Sequence, residues 1–482
     1  MLQRLAIALC LLPAVARADD VASSPIPTVL APATTPTVEI VPRDEGNWDA
    51  GVFAEPSYTA ALIGHVARGA RIALRGQVQV AGTPYCSEGL YYALRPNGFL
   101  CADDGVPSRD PPTQKAAVSV KDDHLLPFDY AMVQIKEEET TPLWGSVSDI
   151  VNYESPLRML GRGDTLAVLP ETMRVDGERY RETIDGTLVS ADHTFVMQRF
   201  SQWQGTPITS DTHLPFGWVT SRHAAVFDAP RGKRIDELPR RQRVDILGDH
   251  MEGNKRWLMI GEGRFVAASA INEVRAIERP AETLQHRQWI DVDLAEQVLV
   301  AYEGDKPVYA TMTSSGRPPN RTPRGNYPIW AKAYAITMRS QPYDDKPFVV
   351  DRVPWVMFFQ AHNALHGAYW HDRFGMVKSH GCANLSPLDA RYLFEWLEPH
   401  VPAGWTAVRY PDLSVAPVVH VRNSAYRKQL RQDRPIGPPT KEGEEQRLQE
   451  AEERRAKADQ SVETSTAAQA NAVPGAAQSG LQ

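Results

Sequence analysis

Apolar positions along this chain come in short runs, broken by Gly, Pro and Asp turns, and alternation with a period of two prevails over helical spacing. Residues 49–278 hold no long helical pattern. They predict small β modules at 49–108 and 216–278 and a weaker, degenerate one at 130–195. The three share an echo. Leu62–Leu74, Leu157–Val168 and Ile235–Leu247 each carry an apolar pair, a turn with Gly or a basic residue, and an alternating strand. Gly98-Phe99-Leu100, Gly186-Thr187-Leu188-Val189 and Gly263-Arg264-Phe265-Val266 then read as late strands. The second copy lacks the closing aromatic, and Phe195 to Trp218 behind it is irregular.

Residues 286–412 differ. Trp289–Leu294 alternates strictly, Glu296–Tyr302 and Pro307–Thr313 follow around a tight turn, and Val353–Phe359 is an apolar strand leading to His366. One helix is signalled, with Ser386 as N-cap, Pro387 at the first helical position and Asp389 at the third. Its Leu388, Tyr392, Leu393 and Trp396 predict a core-facing stripe. Trp405–Tyr410 reads as the closing strand. The fold class is mainly β.

Outside these blocks, residues 1–18 read as a signal peptide, with Arg4 before the apolar Leu5–Val15 and Ala16-Arg17-Ala18 as a small-x-small cleavage site. That apolar run is shorter than the roughly 20 residues a membrane span needs. Residues 19–48 predict a Pro/Thr-rich linker, and 425–482, charged and then Ala/Gln-rich, a disordered tail. The expectation is an exported protein of the periplasm or wall-facing space, with no membrane span. A net charge of −7 and no basic cluster with interleaved aromatics exclude a nucleic-acid partner.

Export changes the meaning of the cysteines. With Cys10 inside the leader, Cys86, Cys101 and Cys382 remain, an odd number. Cys86 and Cys101 flank a hairpin-like pair, Tyr91–Leu94 and Asn97–Leu100, where a disulfide fits an oxidising compartment; two buried thiols are the alternative. Cys382 is then the free thiol. It lies in Ser379-His380-Gly381-Cys382-Ala383-Asn384, with His366-Gly367 upstream. A thiol near pKa 8.5 must lose its proton to attack a carbonyl, and an imidazole can take that proton and pass it to a leaving amine. His366, arriving on a neighbouring strand, can be aimed more freely than His380. Gly381, without a Cβ, lets backbone N–H groups approach a reacting carbonyl.

These residues resemble the L,D-transpeptidase (YkuD-like) catalytic domain, whose signature is His, a gap of this size, then Ser/Thr-His-Gly-Cys-x-Asn/Arg. Ile290–Leu294, Gln297-Val298-Leu299, Ser315-Gly316 and Arg321-Thr322-Pro323-x-Gly325-x-Tyr327 add to the likeness. The early modules resemble bacterial SH3-like barrels. The first resemblance implies a β-rich fold and a cysteine acyl-enzyme acting on peptidoglycan stem peptides. It implies Cys382 as nucleophile, His366 as base, the Gly367 carbonyl as its orienting group, and amides near His380, Gly381 and Cys382 as oxyanion hole. Ser379 and Asn384 would face substrate; Asn384 stands where many relatives carry Arg. The acceptor is left open: a second stem peptide, a free D-amino acid, a wall-attached protein, or water in an L,D-carboxypeptidase. A catalytically inactive wall-binding scaffold is the rival from another class. No cofactor is implied. His371 and Asp372 sit near the motif, but no CxxC or HExxH spacing accompanies them, so no metal is expected.

Overall fold

The computed structural model describes residues 30–43, 48–80, 85–118, 120, 124–340, 348–410 and 412–424. The expected signal peptide, the start of the linker and the tail at 425–482 lie outside them. The described residues form one unit, up to Met338 and from Val350 on, and a short second one, Arg339–Val349, described only at its ends, where Ser340 N–H donates to the Phe348 carbonyl. Among the described residues no helix is long and apolar enough to cross a membrane.

The chain before residue 280 repeats one seven-strand pattern three times. The first copy has β1 (Thr37–Ile40), β2 (Asp49–Phe53), β3 (Leu62–Ala67), β4 (Arg71–Gln79), β5 (Leu90–Leu94), β6 (Phe99–Cys101) and β7 (Gly105–Ser108). β1 pairs with β4 and β7, β2 with β3 and β6, and β5 with β4 and β6, all antiparallel. The second has β8 (Asp129–Val133), β9 (Thr140–Trp144), α1 (Val147–Val151), β10 (Arg158–Gly161), β11 (Thr165–Val175), β12 (Glu178–Thr183), β13 (Leu188–Ser190) and β14 (Thr194–Val196). Its strands pair in the same scheme. After β15 (Thr206–Pro207) comes the third: β16 (Phe216–Val219), β17 (His223–Phe227), β18 (Arg234–Pro239), β19 (Arg243–Asp245), β20 (Gly248–Glu252), β21 (Lys255–Gly261), β22 (Arg264–Ala267) and β23 (Ile271–Val274). Here β19 and β20 together take the place of the fourth strand. In each copy a left-handed glycine (Gly98, Gly186 or Gly263) precedes the sixth strand, and a one-turn N–H to C=O bond back to Ala102, Ala191 or Ala268 precedes the seventh.

Two expectations are corrected here. The second copy is not degenerate: it has every pairing of the other two and its own core of Val133, Leu143, Leu160, Leu166, Val168 and Val189. The linker reading of 19–48 fails over Thr37–Ile40, because the first module needs this strand to close its sheet, with Val38 and Ile40 fully buried. The polar, Pro-rich surroundings concealed a four-residue strand. Cys86, ahead of β5, and Cys101, the last residue of β6, form a disulfide with Cα atoms 5.8 Å apart.

The C-terminal part has β24 (Gln288–Asp293), β25 (Val298–Glu303), β26 (Lys306–Met312), β27 (Gly325–Pro328), β28 (Ala331–Arg339), β29 (Val349–Gln360), β30 (Asn363–Gly367), β31 (Ala383–Leu385), α2 (Pro387–Trp396), β32 (Trp405–Arg409) and β33 (Val418–Arg422). A six-stranded sheet runs β15-β26-β25-β24-β33-β27. The expected boundary at 412 is therefore short. β33 lies beside β24, in parallel, and its Arg422 bonds to Asp291 and Asp293. Those two aspartates are the polar half of the alternation, yet they are buried, because both faces of β24 are covered. Trp405–Arg409 does form a strand, but it pairs with β28 and with β3 of the first module.

The irregular stretch after β14 belongs to this domain. Thr206–Pro207 is an edge strand of its sheet, and Trp203 Nε1 donates to Thr311 Oγ1 at 2.9 Å. Trp203, Ile208, Phe216, Trp218 and Val274 share one core with Trp289, Val298, Val300, Tyr302 and Met312. Helix α2 starts as expected, with Ser386 Oγ accepting from Asp389 N–H. Its buried stripe, however, is Pro387, Ala390, Leu393 and Phe394; Leu388, Tyr392 and Trp396 are only half-buried.

Candidate active site

The motif is built on a short parallel pair. β29 turns at Ala361-His362 into β30, and β30 pairs with β31 in the register Leu365↔Ala383, His366↔Asn384 and Gly367↔Leu385. His366 thus lies inside a short return strand, not at the end of the long apolar one. Cys382 precedes β31 by one residue. With side chains alternating, Cys382 and Asn384 fall on the face of His366, so the thiol and the imidazole are diagonal neighbours.

The other flank is the segment after β26. Ser314 exchanges two backbone hydrogen bonds with Asn384, both 2.9 Å, and Lys378 and Ser379 donate to the Ser315 carbonyl. Gln297 fixes this segment: its Oε1 accepts from Ser315 N–H and its Nε2 donates to Ser315 Oγ. Gly316 packs so closely that a Cβ would come within 2.8 Å of Gly381 N. Gly381 has φ +124°, and a Cβ there would overlap Asn363 Oδ1. The motif glycine is therefore required both by its backbone and by its neighbour.

His366 is fully enclosed. Its Nδ1 faces the Gly367 carbonyl at 3.3 Å, which puts the ring proton there and leaves Nε2 as the acceptor. Burial lowers its pKa to about 4, opposed by that carbonyl. Packing around the sulfur pushes the Cys382 thiol up to about 11, while the N–H groups of Ala364 and Cys382 favour the thiolate. The resting pair is thus neutral, and the thiol donates to the His362 carbonyl at 3.9 Å. His380 turns away: its ring is exposed and lies 3.3 Å from Arg317 Nη2. Gly381 N–H is directed at Ser379 Oγ, 3.3 Å away, and Ser379 Oγ donates to the Cys382 carbonyl. Ser379, 5% exposed, braces the turn.

Asn384 lies beside His371, with Nδ2 3.0 Å from His371 Nε2. Burial, then Lys378, lowers the His371 pKa to about 4. Its Nδ1 already accepts from Arg373 N–H. A neutral ring has one acceptor nitrogen, so Nε2 carries the proton, and the pair is satisfied with the Asn384 amide oxygen as acceptor. That arrangement also gives a partner to the Asn384 oxygen, which is otherwise buried without one. His371 therefore serves Asn384. Sequence reasoning missed this pairing and the close approach of Asn363 to Gly381, because each joins a strand residue to a loop whose path no local pattern encodes. Among the described residues, the one His/Cys/Asp/Glu group with metal-ligand spacing is Cys86, Cys101 and Asp103, whose cysteines are disulfide-bonded.

Residues 287–418 match the family model of the L,D-transpeptidase catalytic domain, YkuD. The chain carries a domain of that family over rather more than a quarter of its length. No curated protein matches the chain. Among solved structures, a cysteine-to-serine mutant of the Enterococcus faecium L,D-transpeptidase is 24% identical, over 28% of this chain and 50% of that one, with a TM-score of 0.23. The catalytic domain from the same organism is 25% identical, over 28% of this chain and 96% of its own length, with a TM-score of 0.23. An L,D-transpeptidase from Stackebrandtia nassauensis is 25% identical, over 28% of this chain and 56% of that one, with a TM-score of 0.21. The chain spans about half the length of the first solved structures it matches.

Proposed function

We propose that this protein is an exported L,D-transpeptidase that forms a thioester on Cys382 with peptidoglycan stem peptides. The observation that carries the reading is the β30–β31 register, which sets Cys382 and His366 on one face behind a turn that only glycine can occupy at position 381. His366 Nε2 takes the thiol proton as sulfur attacks the carbonyl of the third stem residue. Backbone N–H groups of the His380–Cys382 turn receive the oxyanion. The C–N bond breaks, the terminal D-alanine leaves as its amine, and His366 returns the proton to it. An acceptor amine then attacks the thioester and regenerates the thiol. The buried imidazole is unprotonated at neutral pH and so free to accept the proton, but burial lowers its basicity and raises the thiol pKa, so transfer is tied to attack on the bound carbonyl and to stabilisation of the oxyanion.

The three modules are read as SH3-like barrels, which their shared pairing scheme and the one-turn N–H to C=O bond before the last strand support. Burial of Trp203 and Ile208, and of Phe216, Trp218 and Val274 of the third module, in the domain's core speaks against a role as freely tethered anchors.

The test is intact mass after incubation with a carbapenem or a tetrapeptide muropeptide. A stoichiometric adduct on the wild type and none on Cys382→Ala supports the reading; no adduct, or one that persists in the variant, sinks it. Muropeptide profiles with and without the protein then identify the acceptor, water included.

A further inference from the structure

The third strand of each module turns into the fourth through three residues with the same hydrogen bonds. In all three, the last of them donates its N–H to the carbonyl that ends the third strand: Ala70 to Ala67, Asp164 to Gly161, Gln242 to Pro239. The middle residue donates to the carbonyl that ends the first strand: Gly69 to Ile40, Gly163 to Val133, Arg241 to Val219. The middle residue is left-handed every time, with φ of 74°, 91° and 72°. Two copies place glycine there. The third places an arginine, for which this backbone is strained.

The arginine reaches the catalytic loop. Its guanidinium bonds to the Asp372 carboxylate, Arg240 Nη2 donates to the Asp372 carbonyl at 2.8 Å, and Arg241 lies 5.4 Å over the Trp203 ring. Asp372 adjoins His371, which holds Asn384 beside His366. The same loop is tied at Tyr369, stacked on Tyr130 of the second module at 3.7 Å, and at Gly375, whose carbonyl accepts from Asn272. An ion pair with Asp372 half-exposed adds little stability. That ion pair alone therefore does not account for an arginine where the fold elsewhere uses glycine.

We propose that Arg241 is a positioning residue for acylation: by gripping Asp372 it holds the 369–373 loop so that His371 and Asn384 form the wall beside Cys382. This rests on the transpeptidase reading above. Arg241→Gly tests it in the full chain, because glycine already serves at positions 69 and 163, so the variant is expected to fold with an unchanged or higher Tm. Acylation by the carbapenem is expected to slow about tenfold or more in its maximal rate. Asp372→Asn is expected to slow it similarly, and the double variant to be no slower than either single one. A wild-type rate in Arg241→Gly, or additive losses in the double variant, overturns the proposal. If the wild type itself is not acylated, the transpeptidase reading fails separately. Hydrogen exchange still decides the latch: faster exchange across 369–376 in Arg241→Gly supports it, and unchanged exchange overturns it.

Discussion

A chain beginning at residue 281 keeps all of the family match, 287–418, and is the natural piece to assay, yet the structure predicts that it does not fold as a rigid domain. Trp203, Ile208, Phe216, Trp218 and Val274 are removed from the core they share with Trp289, Val298, Val300, Tyr302 and Met312. Burying a side chain of this size contributes roughly 1.5–3 kcal/mol, so half-uncovering five removes on the order of 4–8 kcal/mol. The buried Asp389 also loses the Gly205 N–H, for about 1–3 kcal/mol more. The total rivals the 5–15 kcal/mol typical of a whole domain. Urea unfolding followed by tryptophan fluorescence, with dye binding to exposed apolar surface, compares residues 281–424 with 30–424. A broad transition and strong dye binding are expected of the shorter chain. A sharp transition at the same midpoint would refute the claim that the stretch after β14 and the third module complete this core.

Three further outcomes follow from the site and the first module. Gly381→Ala should leave the modules intact but cut acylation at least tenfold, measured by intact mass against time, since φ +124° and Asn363 both exclude the methyl. His366 and His371 are held well below the ordinary imidazole value by burial. The unfolded chain therefore binds more protons near pH 5, so stability present above about pH 6.5 is lost as pH falls toward 4; Tm from pH 7.5 to 4.5 should drop, and less steeply in His371→Gln. Replacing Cys86 and Cys101 by serine opens a loop of 15 residues and should cost about 3 kcal/mol in chemical unfolding, with acylation of Cys382 unchanged.

Local signals were readable where local physics decides. The Ser386 cap, the Cys86–Cys101 hairpin, the strands from Trp289 to Met312 and the late strands after Gly98, Gly186 and Gly263 all follow from alternation and turn chemistry. What stayed hidden was set by distant partners. Thr37–Ile40 is a strand because β4 and β7 flank it, Thr206–Pro207 because β26 does, and Val418–Arg422 because it slots beside β24. At the site, Cys382, His366 and Gly381 stand out by residue type and spacing. The partnership of His371 with Asn384, and of Asp372 with Arg241, joins residues 13 and 131 apart, which no sequence period marks.

Acylation of the full chain tests the central claim most directly. Incubated with a tetrapeptide stem substrate and analysed by intact mass and peptide mapping, the wild type is predicted to carry the acyl group on Cys382 with release of D-alanine, and His366→Gln to form it far more slowly. Release of D-alanine by Cys382→Ala, or an adduct mapped to any other residue, would contradict the account.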